Sequence, residues 1–177
     1  MSALYVDISR YGKGVFAKKK ISRGERICRF YGPLLCLNDL PKERHGEADR
    51  YVQIGKDLYF GPTGDFDDYI NHSCDPNCGL IINNTKAYAV AVRDISIGEE
   101  LTWDYSTTLD EDSWEMECAC GSLLCRRLVR GFKYLPENTK QKYLKLGIVP
   151  EYNILYCSAR TLKRYAYHEV RSLVSVG

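Results

Sequence analysis

Between Leu4 and Tyr105 the chain is divided into extended runs too short for typical helices. They are Leu4-Val6, Gly14-Ala17, Ile27-Tyr31, Tyr51-Ile54, Leu58-Phe60, Gly79-Ile82, Ala87-Val92 and Leu101-Tyr105, all rich in β-branched and aromatic residues. Turn residues separate them, so the pattern predicts a mainly β body. Asn83-Asn84-Thr85-Lys86 lies between two runs and reads as a hairpin turn, since Asn tolerates positive φ. Ile21-Ser22-Arg23-Gly24-Glu25 and Ile95-Ser96-Ile97-Gly98-Glu99 share one I-S-x-G-E pattern and predict two similar turns, each feeding a strand. Beyond Gly131 the texture changes. Pro136 at a first helical position, then Glu137 to Leu146 closed by Gly147, predicts a helix. A second helix is expected from Ser158, capped by its hydroxyl, with Leu162, Ala166, Val170 and Leu173 along one face. The fold class is thus mainly β, α+β overall.

The length of 177 residues suits one domain with an appendage. Apolar runs such as Ala87-Val92 fall far short of the roughly 20 residues that span a bilayer. Met1 to Tyr11 has no apolar core of a secretory signal and carries Asp7 and Arg10. A cytoplasmic or nuclear protein, neither secreted by a signal peptide nor membrane-bound, is expected. The net charge of +2 conceals an asymmetry: residues 133–177 hold eight Lys/Arg against three Asp/Glu. Those charges are interspersed with apolar residues, which favours a solvated helix face over a nucleic-acid surface. Nucleic-acid binding and oligomeric state stay open at this level.

Eight cysteines in a reducing compartment argue for metal binding or buried thiols rather than disulfides. Cys28, Cys36 and Cys157 read as small core residues. Cys118-x-Cys120-x4-Cys125 is different, because three thiolates satisfy a tetrahedral zinc only with a fourth ligand from elsewhere, here Cys74 or Cys78. An all-sulfur shell leaves no open position, so the ion would be structural, and such sites contribute about 10–16 kcal/mol to folding in finger peptides.

Taken with Tyr69-Ile70-Asn71-His72-Ser73-Cys74-Asp75-Pro76-Asn77 and Glu100-Leu101-Thr102-Trp103-Asp104-Tyr105, these residues resemble the SET-domain protein lysine methyltransferases with a zinc-binding post-SET segment. Gly12-Lys13-Gly14-Val15-Phe16, Phe30-Tyr31-Gly32 and Arg50-Tyr51 match further motifs, and the likeness runs from about Leu4 to Arg127. The resemblance implies a β-clip fold with a pseudoknot around the active site. Boundaries are expected at 1–108 for the SET domain, 109–130 for the post-SET segment and 131–177 for a helical extension.

It implies S-adenosylmethionine as methyl donor, and as acceptor a lysine of a protein or peptide, a histone or another basic protein. By the same resemblance Tyr105 is the catalytic tyrosine and Tyr31 a channel wall, while Lys13, Gly14, Tyr51, Asn71 and His72 hold the cofactor. Cys74 then completes the zinc shell with Cys118, Cys120 and Cys125. Trp103 stands where the family usually carries Phe or Tyr, a position tied to product multiplicity. An indole holds no water as a phenol does, yet fills more of the channel than Phe.

The chemistry requires a neutral amine, although free lysine has a pKa of about 10.4. A sulfonium about 4 Å from the ammonium, at an effective dielectric of about 20, disfavours the protonated form by roughly 4 kcal/mol, or about 3 pKa units. Burial among aromatic rings lowers it further, so no carboxylate is assigned as general base. The acidic run Asp110-Glu111-Asp112, with Glu115 and Glu117, reads as a solvated loop, or as a surface that attracts a basic peptide. Trp114 packs either over the cofactor's adenine or as a loop anchor. The competing reading from another class is a non-catalytic SET-like zinc module that binds a histone tail, nucleic acid or partner protein. The intact Tyr105 and Asn71-His72 pair count against it. A Rossmann-type methyltransferase is weaker still, because Gly12-Lys13-Gly14 lacks the third glycine.

Overall fold

A computed structural model describes residues 3–42, 44 and 49–154; the helix expected from Ser158, and Cys157, lie outside them. The strands in chain order are β1 (Leu4–Ser9), β2 (Gly12–Ala17), β3 (Arg26–Phe30), β4 (Leu34–Cys36), β5 (Val52–Gln53), β6 (Leu58–Phe60) and β7 (Asn71–His72). They continue as β8 (Cys78–Asn83), β9 (Lys86–Ala91), β10 (Thr102–Trp103), β11 (Met116–Glu117) and β12 (Leu128–Val129), followed by α1 (Glu137–Leu146) and α2 (Glu151–Ile154). They group into small sheets, β1-β2, β3-β9-β8, β4-β6-β5, β10-β7 and β11-β12. The described residues form a mainly β fold with few helices. Among the described residues no helix is long and apolar enough to cross a membrane.

Local chemistry accounts for the strand ends. β8 and β9 close as a hairpin in register Asn83↔Lys86, with Asn84 at φ +53° in the turn. The two I-S-x-G-E turns are one device used twice. In each, the glutamate carboxylate accepts the serine N–H, Ser22 to Glu25 at 3.2 Å and Ser96 to Glu99 at 2.9 Å. In each the glycine takes positive φ, +84° at Gly24 and +78° at Gly98. The turns meet, because Ile21 and Ile95 exchange backbone hydrogen bonds of 3.0 and 2.9 Å with both side chains fully buried. Strand β2 is thereby held beside the segment that leads to β10, and Leu101 N–H donates to Val15 O at 2.7 Å.

The main core lies between these sheets, with Val15, Ile21, Phe30, Leu80, Ile95 and Leu101 nearly inaccessible. A separate cluster of Phe132, Leu135, Tyr143, Ile148 and Val149 seats the C-terminal segment. A Cβ on Gly79 would come within 2.3 Å of Ile148, so only glycine lets β8 accept this segment. Helix α1 has the predicted span and ends at Gly147 with φ +68°. Pro136 precedes its first residue rather than occupying it. Helix α2 is an addition to the expected elements. Its Tyr152 hydroxyl donates to Thr108 O at 2.8 Å and its Asn153 amide to Thr107 O at 2.9 Å, tying the extension to the residues that follow Tyr105.

Candidate active site

The site is organised by two residues of parallel pairing. β7 and β10 align Asn71 with Thr102 and His72 with Trp103. Asn77 secures the register: its amide donates to Glu100 O at 2.7 Å and Glu99 Oε1 at 2.9 Å, while its Oδ1 accepts the Thr102 N–H at 2.8 Å. After Trp103 the strand stops, because the Asp104 carboxylate accepts the Ser106 N–H and turns Tyr105–Thr107 into a 3-10 helix. Tyr105 therefore leaves the strand and faces inward, where a longer strand was expected.

The Tyr105 ring lies 4.8 Å from Trp103 and 5.2 Å from His72, centre to centre. Its hydroxyl donates to Ile70 O at 3.1 Å, and its backbone N–H donates to His72 Nδ1 at 3.2 Å. Trp103 is buried, edge-on to Phe30. Tyr51, Asp67, Asp68, Ile70, Trp103 and Tyr105 line one cleft, which Trp114 also borders. Trp114 is buried and its indole N–H donates to Asp49 Oδ2 at 2.7 Å, which makes it a loop anchor at the edge of this cleft. Tyr31 is outside the cleft lining and 39% exposed; its hydroxyl donates to Asp65 Oδ2 at 2.8 Å and its N–H to Asp67 Oδ2 at 3.1 Å. Burial, assisted by Asp68 and Asp65, pushes the Asp67 carboxyl up to about 6 against the opposing Tyr31 N–H bond.

A second group gathers at the β1-β2 hairpin. The Asn71 amide donates to Lys13 O at 3.0 Å and to Glu100 Oε1 at 2.7 Å, and the Ser9 hydroxyl donates to the same carboxylate oxygen at 2.7 Å. A Cβ on Gly14 would lie 2.7 Å from the Ser9 Cβ across the hairpin, as well as 2.5 Å from Glu100 Oε1, so the close approach requires glycine. The Lys13 ammonium stands over the Tyr69 ring at 5.1 Å. Thus Lys13, Gly14 and Asn71 meet at one place, and β7 carries His72 from there to Tyr105, while Tyr51 belongs to the cleft and Tyr31 to its outer margin.

Cys74, Cys118, Cys120 and Cys125 place their Sγ atoms all within 4.8 Å of one another. The Cys74–Cys118 and Cys118–Cys125 separations are 3.9 and 3.8 Å, close to the edge of about 3.8 Å in a tetrahedron with Zn–S of about 2.3 Å. The thiols fit a structural zinc. Cys78 is excluded as the fourth ligand: it is fully buried in the main core with its Sγ against Asn77 Oδ1. Gly121 at φ +80° makes the turn between Cys120 and Cys125, and Leu109, Trp114 and Val129 pack round the thiols.

Some sequence expectations are corrected. Cys36 is exposed, not a core residue, because β4 is a short edge strand. The acidic run is solvated at Asp112, Glu115 and Glu117 but engaged at Glu111. Glu111 accepts from Arg44 at 2.6 Å and Tyr59 at 2.9 Å, and Asp112 pairs with Lys133 and Tyr134. Four contributors were not singled out in the sequence: Glu100, Asp104, Arg126 and Tyr143. The first two lie inside the Glu100-Tyr105 motif, and a basic residue directly after Cys125 is the local signal for Arg126. The Arg126 guanidinium grips Asp104 through two bonds of 2.7 and 2.8 Å.

Paired segments beside a partly buried tyrosine, with a four-thiol knuckle next to them, point to the SET class of domain. The family pattern described as SET domain matches residues 12–106, and the chain belongs to the SET-domain family. It is 33% identical over 134 residues to the histone-lysine N-methyltransferase ASHH3 of Arabidopsis thaliana, covering 69% of this chain and 36% of that protein. It is also 33% identical over 149 residues to the probable histone-lysine N-methyltransferase set-23 of Caenorhabditis briggsae, covering 72% of this chain and 58% of that one. The chain thus spans less than two thirds of these relatives' length. Among solved structures it resembles KRYPTONITE in complex with mCHG DNA and SAH, with a TM-score of 0.59 and 28% identity over 72% of this chain and 29% of that one. A second KRYPTONITE complex, with mCHH DNA, an H3(1-15) peptide and SAH, has a TM-score of 0.57 at 26% identity, again over 72% of this chain and 29% of that one.

Proposed function

We propose that the protein is an S-adenosylmethionine-dependent protein-lysine N-methyltransferase acting on a histone or another basic protein in the cytoplasm or nucleus. The observation that carries this is the β7-β10 pairing, which joins Asn71 and His72 to Trp103 and Tyr105 in one continuous site. The names of the relatives, and the SAH and H3 peptide in the KRYPTONITE structures, support the same reading. Residues 1–108 form the SET domain, 109–130 the post-SET segment and 131–177 the extension.

When bound, S-adenosylmethionine supplies an electrophilic methyl group on a positively charged sulfur. Lys13, Gly14 and Asn71 would hold it, together with His72 and Tyr51. The Tyr105 hydroxyl donates its proton to Ile70 O, and a phenol that donates through its proton can accept an N–H of an incoming amine on the same oxygen. Tyr105 therefore orients the nucleophile, and catalysis is chiefly positioning. Trp103 limits the volume beside the amine, and Tyr31 bounds the outer approach. Asp67 and Asp68 give the cleft carboxyl groups suited to meet a cationic side chain on entry. None is assigned as general base, since the amine's proton leaves to water.

The test is transfer of labelled methyl from S-adenosylmethionine to an array of histone and other basic peptides, with product masses measured. The native protein is expected to label lysine. Tyr105→Phe is expected to lose about 100-fold or more in turnover with cofactor affinity retained. Full turnover in that variant, or no lysine product from the native protein on any peptide, overturns the proposal.

A further inference from the structure

We infer that Tyr143 is a positioning residue for Tyr105, acting through the Asp104 carboxylate. The inference rests on the reading of Tyr105 as the catalytic tyrosine. It assigns a role to a helix that lies beyond the residues matched by the SET family pattern.

Asp104 immediately precedes Tyr105, and its side chain has no exposure at all. Its two oxygens have different tasks. Oδ1 accepts the Ser106 N–H at 3.1 Å, the bond that sets the turn on which Tyr105 sits, and also accepts Arg126 Nη2 at 2.8 Å. Oδ2 accepts Arg126 Nη1 at 2.7 Å and the Tyr143 hydroxyl at 2.8 Å. A carboxylate offers about four lone-pair sites, so these four donors satisfy it. Arg126 alone could follow the carboxylate through small rotations, because its fork is borne on a long side chain. Tyr143 cannot follow: its ring is fully buried, and α1 is seated by Ile148 against Gly79, where no side chain would fit.

The Tyr143 hydroxyl is also 3.4 Å from Cys74 O, so the same phenol touches the chain that enters the thiol knuckle. Without that hydroxyl, one Oδ2 lone pair is buried with no donor. The carboxylate then gains by rotating toward Arg126, and any rotation shifts Oδ1 from the Ser106 amide. The turn that aims the Tyr105 hydroxyl is loosened, while β7 and the hairpin group around Asn71 are untouched.

The experiment uses the full zinc-loaded chain. Tyr143→Phe keeps the ring and removes only the donor. It is expected to speed amide hydrogen exchange at Tyr105 and Ser106 and to lower kcat about tenfold, since misplacement of a reacting group by about 1 Å can cost 100-fold. Counted per cofactor-binding site, peptide KM, cofactor Kd and zinc content stay native. Lys142→Ala, on the exposed face of the same helix and paired with Asp75, is expected to change neither measurement. A ring carrying an amino group in place of the hydroxyl, introduced as 4-aminophenylalanine at 143, is a weaker donor expected to give an intermediate rate. It carries the comparison if the Phe variant does not fold, and a native rate in it overturns the inference.

Native exchange or native kcat in Tyr143→Phe overturns the inference while leaving the enzyme reading intact, provided Tyr105→Phe still loses turnover. If instead the native protein methylates no peptide, the enzyme reading fails. Unchanged exchange at Tyr105 and Ser106 then separately overturns the structural coupling.

Discussion

His72 links the Tyr105 backbone to Cys74: Nδ1 accepts the Tyr105 N–H at 3.2 Å, and Nε2 lies 3.3 Å from Cys74 Sγ. Since Nδ1 accepts, the neutral ring carries its proton on Nε2 and donates it to sulfur. Burial holds the imidazole down at about 4, outweighing the opposing Asp104, so the neutral form prevails.

Replacing His72 by Ala removes both the acceptor of the Tyr105 N–H and the donor to Cys74. A lost hydrogen bond at a buried site costs about 1–3 kcal/mol. His72→Ala is expected to lower Tm, to lose at least about tenfold in turnover, and to surrender zinc faster to a chromogenic chelator. Native zinc-release kinetics would refute the link.

Asp67 predicts a pH dependence of stability. Its folded pKa of about 6 lies above the ordinary aspartate value of about 3.9, so its contribution is full below about pH 4 and is lost as pH rises through 6. The Tm of Asp67→Asn relative to native is therefore expected to rise between pH 4 and pH 7. A difference that stays flat across this window would show an unperturbed carboxyl.

Arg126→Met leaves Asp104 buried without its counter-ion. Breaking a buried pair by removing one partner costs about 3–5 kcal/mol. In a domain of this size that corresponds to roughly 6–20 °C in Tm. A shift of only a degree or two, in calorimetry at neutral pH, would mean that the charge is dispensable.

Chelation of zinc should loosen the thiol cluster, whose apolar neighbours include Trp114. Tryptophan emission is expected to shift to the red on adding a strong chelator, and this shift should vanish in Trp114→Phe because Trp103 belongs to the main core. A shift that persists in Trp114→Phe would place the metal's influence elsewhere.

Trp103 is packed edge-on to Phe30 and tilted on Tyr105, so the indole occupies space beside the Tyr105 ring. Trp103→Phe frees part of that space. Mass spectrometry of peptide products is expected to show at least one more methyl group added by the variant than by the native protein. Identical product distributions would exclude Trp103 from control of multiplicity.

Much of this arrangement is legible in the residues because strand runs and turn signals are local. Leu58–Phe60 and the helix 137–146 have the spans their patterns indicate, and both I-S-x-G-E turns form as the shared motif suggests. β7 is not visible as a strand, since Asn71 and His72 are polar and the pairing is only two residues long. β10 ends earlier than its apolar pattern suggests, because the Asp104 side chain stops it. The contacts of Asp104 with Arg126 and Tyr143 bridge 22 and 39 positions, and no periodicity reports a bond between such distant side chains.

Ser9 bonds to Glu100 across 91 positions, and Phe16 forms a bridge with the same glutamate. Contacts of such separation can form only after the residues between them have been synthesised, and loop closure over that span slows their formation. The group formed by Ser9, Asn71 and Glu100 must therefore mature late, when the β1-β2 hairpin captures a much younger stretch of polypeptide. A nascent chain halted before Glu100 leaves the ribosome has the residues of the β1-β2 hairpin but lacks the carboxylate that ties Ser9 to Asn71.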